Sequence, residues 1–167
     1  TLYTEARELL GRRRTHARRI VAGPELDLLV VDIVSRIVVG AYDTTNGGFC
    51  SEPKFPNAPI VLFVTHLSRH SGEDFYGAVL IKTLDSMSQG QVLDAADGGF
   101  FRHCAQADWT QPQHEKLLED NLNLVREFLD SSILLERPQY RDTAKQTINY
   151  LMEQLYDSTV PGFQGSQ

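Results

Sequence analysis

Apolar residues recur at three- and four-residue intervals through most of the chain, the spacing that places them on one face of an α-helix. Leu26, Leu29, Val30, Ile33, Val34, Ile37 and Val38 form one such stripe behind Pro24, and predict a helix of about four turns. The β-branched residues around Val30, Val31 and Ile37–Val39 keep a strand open as the alternative. Ala58 to His70, apolar almost without break from Ile60 to Val64, predicts an inner helix covered on most sides. Tyr76, Val79, Leu80, Leu84 and Met87 predict a helix from Asp74 to Met87, and the short Ser71-Gly72 link makes it an antiparallel partner of the one before. After Pro112 the stripe is Leu117, Leu118, Leu122, Val125, Phe128 and Leu129, with His114 and Glu115 extending it one turn toward the N-terminus. Ala144, Ile148, Leu151, Met152 and Leu155 predict a last helix from Tyr140 to Tyr156. A shorter stripe, Leu2, Ala6, Leu9 and Leu10, leads into a basic run from Arg12 to Arg19.

What separates these stripes repeats. Gly47-Gly48-Phe49 opens one polar loop, Gly98-Gly99-Phe100 opens a second, and Pro161-Gly162-Phe163 stands near the last residue. Two helical stripes lie between successive phrases, so the unit is a helical hairpin plus a glycine-aromatic loop. A period of this order indicates an array of hairpins whose faces are buried by neighbouring units. The expected fold class is therefore all-α, about six helices in three hairpins forming a single domain over residues 1–167.

Net charge is −6 over 167 residues, which argues against nucleic acid as the main partner. The Arg12–Arg19 run is read as a solvated helix face, with a basic interaction arm as the weaker option. No apolar run reaches the roughly 20 residues of a membrane-spanning helix, and no signal-peptide pattern opens the sequence, so a cytoplasmic chain without membrane contact is expected. Two cysteines, Cys50 and Cys104, are too few for a disulfide framework and match no zinc spacing. No metal or cofactor is expected, and a zinc site shared by the two cysteines with His103 or His114 is a weak alternative.

The stretch Gly47 to Pro56, Gly-Gly-Phe-Cys-Ser-Glu-Pro-Lys-Phe-Pro, resembles the Gly-Gly-Phe-x-x-x-Pro-Lys-Phe-Pro phrase of the thioredoxin-domain-containing spermatogenesis-associated protein family. Gly98, Gly99, Phe100, Arg102, Trp109, Pro112, Glu115, Lys116, Leu118, Asp120 and Asn121 are similar to its second phrase, and Gly162-Phe163 to the start of its third. The resemblance runs from about Asp43 onward. It implies part of an (α/α)6 toroid related to sugar 2-epimerases and six-hairpin glycosidases, without the thioredoxin-like domain and the second half of the toroid. The chain departs from the family pattern at Phe101, His103 and Gln113, where the family has His, Tyr and His.

A sugar-like cleft of this kind needs one group to give and another to take a proton, with pKa values set apart by their surroundings. His114, Glu115 and His103 are the candidate catalytic residues, and Asp97 a further acidic group near the substrate. Trp109 with Phe100 or Phe49 would stack on a sugar face, and Arg102 and Lys54 would hold a ligand's anionic group. The competing reading is a helical scaffold without chemistry, with Glu115 at a helix start, Arg102 in a salt bridge and Trp109 as a plug. In either case an arc of a toroid has two uncovered edges, which predicts pairing with a second copy or with a subunit bringing the missing hairpins.

Overall fold

A computed structural model describes residues 28–167. The predicted helix at Leu2–Leu10, the Arg12–Arg19 run and the Pro24 start lie outside the described residues. The chain divides between Ile37 and Val38, so residues 28–37 are described by themselves, and Val38–Gln167 makes up one compact unit.

Among the described residues the fold is all-α with small two-residue strand pairs. Helix α1 spans Leu28–Gly40, which settles its apolar stretch as helix over strand. Helices α2 (Ala58–His70) and α3 (Asp74–Gln89) follow, then strands β1 (His103–Cys104) and β2 (Pro112–Gln113). Helices α4 (Leu118–Leu134) and α5 (Gln139–Tyr150) come next, α5 running into a π-helical turn at Leu151–Leu155. Strands β3 (Tyr156–Asp157) and β4 (Gly162–Phe163) close the described chain. The pairs α2/α3 and α4/α5 are hairpins, and α2 also packs directly on α4. The core of the unit is built from Val61, Val64, Leu80, Leu84, Met87, Leu124, Phe128, Tyr140 and Leu155, all buried. Phe128 is its hinge of contact, stacked on Phe100 at 5.4 Å and meeting Tyr140 edge-on at 5.6 Å.

Three stripes differ from expectation. Helix α2 is covered along Ala58, Val61, Val64 and Thr65, while Pro59 and His66 are exposed, so it is one-sided. On α4 Leu122 and Leu129 are exposed, and the buried face runs through Asn121, Leu124, Val125, Phe128, Ser131 and Ser132. On α5 Tyr140, Thr147 and Tyr150 join Ala144 inside, whereas Ile148 and Met152 face out. Polar side chains with local partners, such as Thr147 bonded to the Thr143 carbonyl at 3.0 Å, can be buried without penalty, and hydrophobic periodicity does not register them.

His114 and Glu115 precede α4 and do not extend it. Their backbone is taken by loop pairing: Gln113 pairs with His103, the Arg102 N–H donates to the Glu115 carbonyl at 2.7 Å, and Lys116 exchanges hydrogen bonds with Gln167. A peptide whose carbonyl and N–H are committed outward cannot join the helical ladder.

The glycine-aromatic phrases are three corners with one backbone register. Tyr42 pairs with Phe49, Leu93 with Phe100 and Tyr156 with Phe163. In the first two, the Asp N–H donates to the second glycine carbonyl at 2.9 Å, Asp43 to Gly48 and Asp94 to Gly99. Gly48 and Gly99 sit at φ of +75°, where a Cβ would collide with Trp109 and with Tyr150 respectively.

Candidate functional site

The corners place buried lysines against aspartates. Lys54, fully buried, reaches Asp43 Oδ2 at 2.7 Å and the Cys50 carbonyl at 3.1 Å. Lys116 does the same with Asp94 Oδ2 and the Gly98 carbonyl, both at 2.8 Å. Burial alone would raise the Asp43 pKa, but the Lys54 ammonium, the Thr45 and Asn46 amides and the Asn46 side chain outweigh it and hold the carboxyl well below the usual range. Asp94 is lowered in the same way, Lys116 and the Ala96 amide overcoming desolvation. Trp109 covers the first clamp, its Nε1–H donating to the Asn46 carbonyl at 3.0 Å, and Tyr150 lies over the second, 4.2 Å from Lys116 Nζ. Asn121, one turn into α4, accepts from the Phe100 N–H at 2.6 Å and donates to the Phe100 and Leu117 carbonyls, tying corner to helix.

Of the sequence-derived candidates, Lys54, Trp109 and Phe100 are thus buried within this framework. Asp97 is exposed on the second corner, its amide donating to Asp94 Oδ1 at 3.4 Å. His114 is exposed and meets Phe101 edge-on at 5.2 Å. Cys50 is exposed and Cys104 buried, and among the described residues no cluster of three metal-ligating side chains occurs.

The remaining candidates gather near one cavity. Between the N-terminal ends of α2 and α4 lies a hollow of about 250 Å³, lined by Phe55, Pro56, Asn57, Ala58, Pro59, Arg102, Asp120 and Leu124. Arg102 Nη1 pairs with Glu115 Oε2 at 2.7 Å, both side chains half exposed, so this pair is open to competition from a ligand. His103 stacks on Phe55 with ring centroids 4.7 Å apart, and its Nδ1 is buried without a partner. Asp120 has a raised pKa: burial is the main cause, Glu119 and Glu115 add to it, and Arg102 opposes it. A partly buried carboxyl beside an aromatic ring and a guanidinium can accept from a ligand hydroxyl.

Asp120 and Phe55 were the site residues missed as such. Phe55 sits inside the Pro-Lys-Phe-Pro phrase and Asp120 three residues after Leu117, so both were visible only as motif letters. Glu127 was missed too: it is buried between α2 and α4, hydrogen-bonded by Thr65 Oγ1 at 3.2 Å, with its pKa raised by burial.

No family model matches the chain. Human spermatogenesis-associated protein 20 is 32% identical over 118 residues, 68% of this chain and 15% of that protein. An uncharacterised Caenorhabditis elegans protein is 33% identical over 113 residues, covering 65% of this chain and 15% of the relative. The chain therefore spans about 15% of the length of the curated relatives it matches. Among solved structures, cellobiose 2-epimerase from Spirochaeta thermophila superposes with a TM-score of 0.71 at 16% identity, over 86% of this chain and 41% of the enzyme. The Bacillus thermoamylovorans cellobiose 2-epimerase gives 0.70 at 12% identity, over 79% and 37%. The GH76 α-mannanase of Bacteroides thetaiotaomicron gives 0.62 at 19% identity, over 78% and 38%. Those identities carry the fold alone, and the fold agrees with hairpins arranged as an arc of an α/α toroid. Over the two thirds of its length that match, the chain is homologous to spermatogenesis-associated protein 20.

Proposed function

We propose that the cavity between α2 and α4 takes a carbohydrate-type ligand, as a sugar-binding or isomerase/epimerase-like site on an α/α-toroid arc. The observation that carries this reading is the Asp120 carboxyl, its pKa raised, lining a hollow with the Phe55 ring and the Arg102 guanidinium. A pyranose offers an apolar face to an aromatic ring and hydroxyls to a carboxyl and a guanidinium. Glu115 tunes how much of the Arg102 charge is offered, and His103 fixes the Phe55 ring. His114, exposed on Phe101, remains a candidate for proton transfer. The test is calorimetric titration with a panel of mono- and disaccharides that includes cellobiose and mannobiose. Saturable binding lost in Asp120→Asn and Phe55→Ala supports the site, and no binding by any sugar refutes it. Substitution of His114 and Glu115, followed by turnover assays, separates catalysis from binding.

A second reading, a helical scaffold that assembles with a partner supplying further hairpins, is favoured by one observation. Leu122, Leu129 and Ile133 form an exposed apolar stripe along α4, with Ile148 and Met152 exposed on the neighbouring hairpin arm. Covering such half-exposed side chains is worth on the order of 1 kcal/mol each. Sedimentation at micromolar concentration is expected to show association or apolar dye binding, and a dye-silent monomer refutes this reading.

A further inference from the structure

Helix α2 carries two histidines that the cavity does not use. His66 and His70 stand four residues apart at the C-terminal end of α2, both exposed, with ring planes 11° from parallel and centroids 6.3 Å apart. Side chains at this spacing leave the same side of a helix with Cβ atoms about 5–6 Å apart, so one cation can reach a nitrogen of each ring. Among the described residues each ring has the other as its one partner, which leaves the nitrogens of both open to a ligand.

We propose that His66 and His70 chelate one divalent transition cation, copper(II) in preference to zinc(II), as a two-histidine surface site at the C-terminal end of α2. Neutral imidazole suits these ions, whereas magnesium and calcium take oxygen ligands. With a cation about 2.0–2.1 Å from a nitrogen of each ring, the centroids come to about 5–6 Å, within a side-chain rotation of the observed 6.3 Å. No backbone movement is needed. The helix end adds to the attraction, because the free carbonyls of its last turn carry partial negative charge. Arg69, on the same turn, opposes it; but Arg69 is exposed, so salt screens its repulsion, and it interacts electrostatically with Glu127 of α4. Among the described residues no third His, Cys, Asp or Glu completes a cluster, so the remaining coordination positions go to water and the cation is exchangeable. The site is separate from the cavity between α2 and α4, whose lining includes Ala58 at the other end of α2, about 18 Å from His70 at 1.5 Å per residue. It therefore stands or falls independently of the carbohydrate reading.

The experiment titrates the full chain with copper(II), zinc(II) and magnesium at neutral pH by calorimetry, in a Cys50→Ser background that removes the exposed thiol. The imidazole C–H signals are followed by NMR with zinc(II), which is diamagnetic. Expected are one cation per chain at this site, copper bound more tightly than zinc, no magnesium binding, and zinc shifts of His66 and His70 together. His66→Gln and His70→Gln are each expected to weaken copper binding about tenfold or more, since the second donor on the same helix acts at high effective concentration. Both positions are exposed, so far-UV circular dichroism of the two variants should match that of the parent chain. A copper affinity that either variant leaves unchanged overturns the proposal, and so does zinc that shifts one ring without the other. Magnesium binding as tightly as zinc overturns it as well, by showing attraction of charge without imidazole ligation.

Discussion

Replacing a glycine at a corner by alanine perturbs two things at once, the backbone conformation and the space above it, and this chain allows them to be measured apart. Gly72, between α2 and α3, has φ of +74° with nothing within 4 Å of an added Cβ. Gly90 has φ of −81°, but its Cβ would lie 2.6 Å from Trp109 Cβ and 2.8 Å from the Ser86 carbonyl oxygen. Gly48 combines the two, with φ of +75° and a Cβ 2.6 Å from Trp109 Cζ2 and 3.2 Å from Lys54 Cε. A left-handed alanine costs about 1–2 kcal/mol, partly offset by about 0.4–1 kcal/mol from the stiffer unfolded chain, so Gly72→Ala is expected to lose about 1 kcal/mol. Gly90→Ala incurs only overpacking, about 1–3 kcal/mol, because neither a backbone carbonyl nor a locked indole can swing away. Gly48→Ala is then expected to lose about 2–4 kcal/mol, a large share of a domain's typical 5–15 kcal/mol. Urea unfolding followed by tryptophan fluorescence and circular dichroism, with midpoints compared at constant slope, gives the three values. If Gly48→Ala proves no worse than Gly72→Ala, the indole is not pressed against the corner and the proposed framework is wrong.

Lys54→Met removes the partner of Asp43 and should destabilise toward the lower end of about 3–5 kcal/mol, since Asp43 keeps its amide donors; denaturant midpoints of the single variant and of Lys54→Met with Asp43→Asn measure it. Asp43 and Asp94 both have depressed pKa values, so their stabilisation is present above the ordinary aspartate pKa near 4 and is lost as pH falls through the lower folded values; unfolding midpoints that do not decline below pH 4 would contradict this. Glu127 has a raised pKa, so its cost appears as pH rises past the ordinary glutamate value and is complete above the folded one; Glu127→Gln is expected to raise the melting temperature at pH 7 and to matter less at pH 4. Burial and the nearby Asp108 push the Cys104 thiol up to about 11, so iodoacetamide should label exposed Cys50 quickly and Cys104 only on unfolding, as followed by mass spectrometry.

The helices were legible because apolar residues at helical spacing report a buried face, and the corners because Gly-Gly-Phe recurs. The start of α4 was not, since His114 and Glu115 fit the helical spacing while the Glu115 carbonyl accepts from the Arg102 N–H, which no local pattern records. Lys54 reads as a ligand-binding cation and Lys116 only as a motif residue, because burial of an ammonium depends on an aspartate 11 or 22 residues away in sequence. Trp109 was legible as an aromatic anchor but not as the lid of a corner whose glycines lie about 60 residues earlier, a pairing that only the fold creates.

The first two corners are completed by material encoded later: Trp109 closes the loop of Gly48, and Tyr150 closes that of Gly99. A chain emerging from a ribosome would therefore always carry its newest turn open, with an anionic aspartate and a bare glycine pair waiting for the next hairpin. The first turn would close only once Trp109 had cleared the exit tunnel, so folding would advance one unit behind synthesis, each step held by its successor.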